Sequence, residues 1–363
     1  MQSMIKYVVK WCWRAVSGVY WRIVRWIAYG FSFLRSPDQA VFSWPEGPPE
    51  RPSERPSELG PIGSKVALFV HFDGQGVVRP YVRVYLSALR EAGFSVLFVT
   101  NAGRLVPESL DALQSLCAGI LIRRNKGYDF AAMREGLRHF GLPRADTQML
   151  LIANDSVYGP LRPLKELFAR IDFGRADIWG ATESWQARYH LQSYFLVAGP
   201  KAFHHPGWAA FWAQVRPVAS KSWVISRYEV GFTQWMIRAG LTCAAIWPYV
   251  ELTQAVAPES AAQDGGSGGT GDSMHDPFRL ARRKSALRIR SAVVSHRPLN
   301  PTSDLWRQLL LAGYPFIKRE LLRENPTHVP DIIDWRDEAG AIAGADTGLI
   351  ERDLQRLLRN RAP

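Results

Sequence analysis

The chain has little cysteine: Cys12, Cys117 and Cys243, three in 363 residues, lie far apart and follow no pattern. That excludes a zinc spacing and a disulfide framework, and it points to a reducing compartment. Long apolar runs are missing too. No uncharged stretch near the N-terminus reaches the roughly 18–20 residues that a membrane span needs. A signal peptide is excluded by the lack of a clean apolar core followed by a small-residue cleavage site. Acid is scarce: 33 Asp and Glu stand against 45 Lys and Arg, a net charge of +12. Such a balance implies an anionic partner, whether nucleic acid, a membrane surface or a phosphorylated substrate. Three fingerprints are also absent. "HFDGQGVVRP" holds only Gly74 and Gly76, and Pro80 interrupts the helix start, so there is no GxGxxG. Neither a P-loop nor a G-x-S-x-G elbow occurs.

What is present begins with residues 1–35, which contain no acid. Lys6, Lys10, Arg14, Arg22, Arg25 and Arg35 are interleaved there with Trp11, Trp13, Trp21, Trp26 and three tyrosines. This pattern predicts a basic amphipathic helix lying in the interface of an anionic membrane, where tryptophan is favoured. The bland alternative is a helix packed on its own domain or on a partner. Residues 36–63, with "PEGPPERPSERPSELGP", read as an extended linker. A Gly/Ser-rich loop is expected over 255–276, and a C-terminal helical extension over 277–363.

Between them, 64–254 alternate strand and helix patterns. "KVALFVHF", "SVLFVT", "AGILIRR" and "TQMLLIAND" are buried-strand runs; "RPYVRVYLSALREAG", "PESLDALQSL" and "DFAAMREGLRHFG" are the helices between them. Alternation of this kind predicts an α/β fold with a mainly parallel sheet covered on both faces. Ligands in such sheets bind beyond the carboxyl ends of the strands. Two polar clusters fall there. After the third strand come Arg124, Asn125, Lys126 and Gly127; Arg124 and Lys126 suit phosphate oxygens, and Gly127 permits close backbone approach. Asp129 either caps the helix beginning at Phe130 or accepts hydrogen bonds from a base or ribose. Arg134 faces phosphate or solvent. After the fourth strand come Asn154, Asp155 and Ser156, hard oxygen ligands that suit Mg2+ or Mn2+ on a diphosphate; Asp155 is otherwise an Asx-turn acid.

"NKGYDFAAMREGL", "NDSVYGPL", "DIWGATES", "HLQSYFLV", "YEVGFTQWMIRAGL" and "NPTSDLWRQLLLAGYPFIKRELLRENP" together resemble the rhamnan synthesis protein F family of glycosyltransferases, over roughly residues 64–330. The resemblance implies a GT-A-like fold. It also implies a nucleotide-sugar donor, often an activated rhamnose, and growth of a bacterial surface polysaccharide. Where GT-A enzymes carry Asp-x-Asp for a divalent metal, this chain reads Asn154-Asp155-Ser156, with one carboxylate. By the same resemblance Glu229, at a helix start, matches the general base, with helix-dipole stabilisation as its structural alternative. Glu183, His190 and Gln192 suit an acceptor sugar, while Trp179 and Phe195 read as core. A basic run in "PFRLARRKSALRIR" faces lipid phosphates or solvent.

The combined expectation is a glycosyltransferase on the cytoplasmic face of the bacterial inner membrane. It is peripheral, acts on a lipid-linked acceptor and does not bind nucleic acid. The competing class is a non-catalytic glycan- or lipid-carrier-binding protein on the same fold.

Overall fold

The structure, a computed structural model, describes residues 62–256, 277–343 and 346–359, with Tyr20, Ile23, Val24, Trp26 and Ile27. The expected linker and Gly/Ser-rich loop fall almost wholly outside these residues, as does most of segment 1–35.

Four apolar runs become β1 (Lys65–His71), β2 (Ser95–Thr100), β3 (Gly119–Ile122) and β4 (Met149–Asn154). They lie parallel in the order β3-β2-β1-β4. The crossovers are α1 (Pro80–Glu91), α2 (Pro107–Leu116) and α3 (Tyr128–His139). Pro80 and Pro107 begin their helices, where a missing N–H leaves no bond unmade. Tyr81, Val82, Tyr85, Leu86 and Leu89 form the buried face of α1, at helical spacing. Alternation along β1 shows why both faces of the sheet need cover. Ala67 and Phe69 enter one core, while Val66, Leu68 and Val70 enter the other.

Beyond β4 the sheet turns mixed. β5 (Val157–Tyr158) leaves it, and β6 (Ile178–Ser184), β7 (His190–Leu191) and β8 (Phe195–Ala198) return to it. β8 runs antiparallel to both β4 and β6, and β9 (Cys243–Trp247) is parallel to β6. α4 (Pro206–Gln214) and α5 (Val230–Arg238) bring Trp208, Phe211 and Phe232 onto the second core. α6 (Tyr249–Gln254) follows β9, and α7 (Pro277–Val294) opens the C-terminal part.

"LWRQLLLAGYPFIKRELLRENP" forms two short helices, with a strand inserted between them. α8 (Trp306–Leu311) is followed by a strand, β10 (Ile317–Lys318), before α9 (Arg319–Glu324). Tyr314 and Phe316 are buried in the first core, and Ile317 and Lys318 pair antiparallel with Tyr158 and Val157. A helix through this segment would leave the β5 edge unpaired, and buried backbone groups demand partners. α10 (Gly348–Leu358) adds Ile350 and Leu354 to the same core. Among the described residues no helix is long and apolar enough to cross a membrane.

Candidate active site

The loop after β3 is held from inside. Arg123 is buried, and its guanidinium bonds Glu135 at 2.7 and 3.0 Å, the Lys126 carbonyl at 2.7 Å and the side chain of Asn101. Arg124, Asn125 and Lys126 stand exposed on the turn so formed. Gly127 ends it with φ 78°, and a Cβ there would lie 2.3 Å from Pro217 Cα. Glycine is required twice over, by conformation and by space. The close approach expected of a ligand is made by Pro217. α3 starts at Tyr128, not Phe130, with Gly127 at the N-cap and no side-chain cap. The capping role for Asp129 is therefore corrected: its carboxylate accepts from Asn154 Nδ2 at 2.9 Å, across to the end of β4. Arg134 is half-buried on α3.

The loop after β4 gathers the other groups. Asn154 Oδ1 accepts from Ser156 N at 3.1 Å and from Ser156 Oγ at 2.5 Å. Lys318 Nζ donates to Ser156 Oγ at 3.1 Å and sits 4.7 Å above the Tyr194 ring. Arg319 Nη1 donates to the Asp155 carbonyl at 2.9 Å and to Asp155 Oδ2 at 3.3 Å. Its guanidinium also stacks 4.8 Å from Tyr81 and lies 3.7 Å from the Asp353 carboxylate. Glu229 closes a π-helical turn, Val224–Glu229, just before α5. Turns of this type often mark functional sites. Its Oε1 accepts from Ser193 Oγ at 3.0 Å and Ser193 N at 3.3 Å.

Burial sets the electrostatics. It pushes Asp155 up to about 6 while Arg319 opposes the shift. Asp129 rises to about 6, first through burial and then through the negative charges of Asp155 and Glu229. Burial lowers the Lys318 ammonium, against the pull of Glu229, Glu320 and Asp129. The cluster thus joins three carboxylates and two cations in a part-dry setting, where proton positions respond to any incoming charge.

The acceptor-side candidates engage the protein itself. Glu183 Oε1 accepts from Tyr249 N at 3.0 Å, at the first residue of α6. Gln192 is buried between Thr182 at 2.7 Å, Asn300 at 3.2 Å and Thr302 at 3.3 Å. His190 is buried with Nδ1 2.8 Å from the Arg188 carbonyl. Trp179 and Phe195 lie in the first core. Sequence reasoning missed Lys318, Arg319 and Ser193. The signal for the first two was the basic pair in "FIKREL", set after an aromatic stretch.

For Mg2+ or Mn2+ the donor set fits poorly. Asp155 leans on a guanidinium, Asn154 Oδ1 is taken up by Ser156, and Ser156 Oγ faces an ammonium. Among the described residues no three His, Cys, Asp or Glu come together to hold a metal. A dication needs several hard oxygens and is repelled by adjacent cations.

The fold and this cluster define an α/β protein with a charged site at the carboxyl edge of its parallel strands. Residues 96–258 match the family model described as Rhamnan synthesis protein F, which bears out the resemblance carried by the motifs and supports a glycosyltransferase. Virulence protein VirA of Vibrio anguillarum is 28% identical over 67% of this chain and 74% of its own. Among solved structures, a putative nucleotide-diphospho-sugar transferase from Desulfovibrio desulfuricans is 10% identical, with TM-score 0.32 over 65% of this chain and 99% of that one. A mannosyltransferase from Pyrobaculum calidifontis, in complex with GDP-Man and Mn2+, is 12% identical, with TM-score 0.33 over 94% and 91%. Similarities this low in TM-score carry no argument about the site.

Proposed function

We propose that the chain transfers a sugar, rhamnose or another deoxyhexose, from a nucleotide-sugar to a lipid-linked saccharide, extending a bacterial surface polysaccharide. The observation that supports this is the convergence of Asp129, Asp155 and Glu229 with Lys318 and Arg319 where β4 ends. In open α/β sheets ligands sit at this edge. Lys318 and Arg319 meet the diphosphate and stabilise the charge that grows on it as the glycosidic bond breaks. Glu229 takes the proton of the attacking hydroxyl, held in orientation by Ser193. Asp155 keeps Arg319 in register for the donor. No step is routed through a metal, and transfer is expected to survive chelation by EDTA. Residues 1–35 are read as the attachment to the cytoplasmic face of the inner membrane.

Glu229→Gln is the deciding variant. It keeps the shape of the side chain and removes its basicity. Donor stabilisation across a panel of nucleotide-sugars is expected to persist, while transfer falls by about 10²–10⁴-fold. Transfer at the wild-type rate removes Glu229 from the chemistry. The second reading, a non-catalytic glycan- or lipid-carrier-binding protein, draws on the incomplete metal donor set. It predicts glycan or carrier binding, with no turnover of any donor in the panel.

A further inference from the structure

We propose that the outward face of α7 is a docking surface for anionic lipid. One side of this helix is fixed to the body. Ala281, Ser285, Ile289 and Ala292 are buried there, with Ser285 Oγ 2.9 Å from Asp331 and Arg288 paired to Asp304 at 2.8 Å. The opposite side carries Leu280, Leu287 and Val294, which are 52%, 56% and 80% exposed. Their seven-residue spacing stacks them two turns apart, in a row about 20 Å long. Arg283 and Lys284, three and four positions after Leu280 and both exposed, flank the row on its two sides. No Asp or Glu occurs between Pro277 and Val294.

A single exposed aliphatic residue calls for no explanation. Three in register, bordered by cations and without an acid, match a helix that lies in the headgroup layer: the row enters the acyl boundary and the cations meet lipid phosphates. Charge selects this occupant over the others. A second copy of α7 would set cation against cation. Nucleic acid would press its phosphates onto the aliphatic row. Residues 1–35 carry cations and no acid, so this face repels them. Residues 257–276 supply acids, but Met274 is their one large apolar side chain, too little to cover the row. The inference stands on this surface alone and is independent of sugar transfer.

The test uses the full chain and sedimentable vesicles of phosphatidylcholine, with and without phosphatidylglycerol. Wild type is expected to partition onto the anionic vesicles. Leu280→Gln/Leu287→Gln and Arg283→Gln/Lys284→Gln are each expected to weaken that partition by about tenfold or more, at unchanged melting temperature. Nucleotide-sugar stabilisation, read in the same samples, is expected to stay at the wild-type level, so a failure of the transfer reading shows up separately. Partition unchanged in both pairs overturns the proposal. So does loss of binding only in Trp11→Ala/Trp13→Ala, which assigns attachment to the N-terminal segment by itself. A wild-type dimer that the leucine pair converts to monomer without changing vesicle binding makes the face a self-interface. Loss of RNA binding in place of vesicle binding overturns it as well.

Discussion

Two loops leave the carboxyl ends of parallel strands, one after β3 and one after β4, and they use charge in opposite ways. After β3, Arg123 turns inward to Glu135, only twelve positions on, and its bonds shape the loop. After β4, Asp155 and Ser156 meet Arg319 and Lys318 from more than 160 positions away. A charge satisfied by the next helix is consumed in building the fold. Charges brought together from distant segments, around a half-buried carboxylate, remain able to respond to a ligand. Density of charge in the sequence does not separate the two cases; the origin of the partner does.

The sharpest way to break this comparison is at Arg123. Arg123→Met removes one member of a buried pair and leaves the Glu135 carboxylate without its partner. Such deletions cost about 3–5 kcal/mol. Arg124→Ala, one position on and exposed, is expected to stay within about 0.5 kcal/mol of wild type. Urea unfolding reads both. Equal stability of the two variants would mean that the β3 loop is not locked by its arginine, and the contrast collapses.

A smaller effect is expected at Lys318. Lys318→Met keeps a side chain of similar length and removes the ammonium that sits 4.7 Å above the Tyr194 ring. Hydrogen bonds to charged groups contribute about 1.5–3 kcal/mol, so donor affinity is expected to fall roughly tenfold to a hundredfold. Calorimetry with the nucleotide-sugar reads it, with and without EDTA. Unchanged affinity would return Lys318 to a purely structural role beside Glu229 and Asp129.

Much of the fold was legible because its signals are local. The runs "KVALFVHF" and "SVLFVT" alternate with helices that begin at Pro80 and Pro107, and that pattern alone implies the parallel half of the sheet. The Asn154–Ser156 loop was legible for the same reason, as a polar cluster at a strand end. Lys318 and Arg319 were not, because β10 exists only through its pairing with Val157 and Tyr158. Nothing within "FIKRELL" itself marks two residues as strand. His190, Gln192 and Glu183 illustrate the converse. Polar residues at strand ends look available in sequence, yet the Arg188 carbonyl engages His190, Thr182, Asn300 and Thr302 engage Gln192, and the α6 backbone engages Glu183.

The smallest expected effect sharpens the comparison through protons. Asp129 belongs to α3 by sequence and to the β4 cluster by its bond to Asn154. Its folded value is about 6, above the ordinary 3.8, so between those limits the folded chain binds a proton that the unfolded chain has lost. Stability from this group is complete below about 3.8 and is lost as pH rises towards 6. His71 runs the other way. Burial lowers it from 6.5 to about 4, so its contribution grows over much of the same interval. The raw pH curve of the wild type therefore mixes opposite slopes, and the informative quantity is a difference. Asp129→Asn retains a carbonyl oxygen for Asn154 and removes the titration. Its melting temperature relative to wild type is expected to climb steadily from pH 4 to pH 6 and then level off. A difference that stays flat across that interval would mean that Asp129 ionises freely. It would then lie outside the field of Asp155 and Glu229, and the β4 cluster would lose the member that ties it to the β3 side.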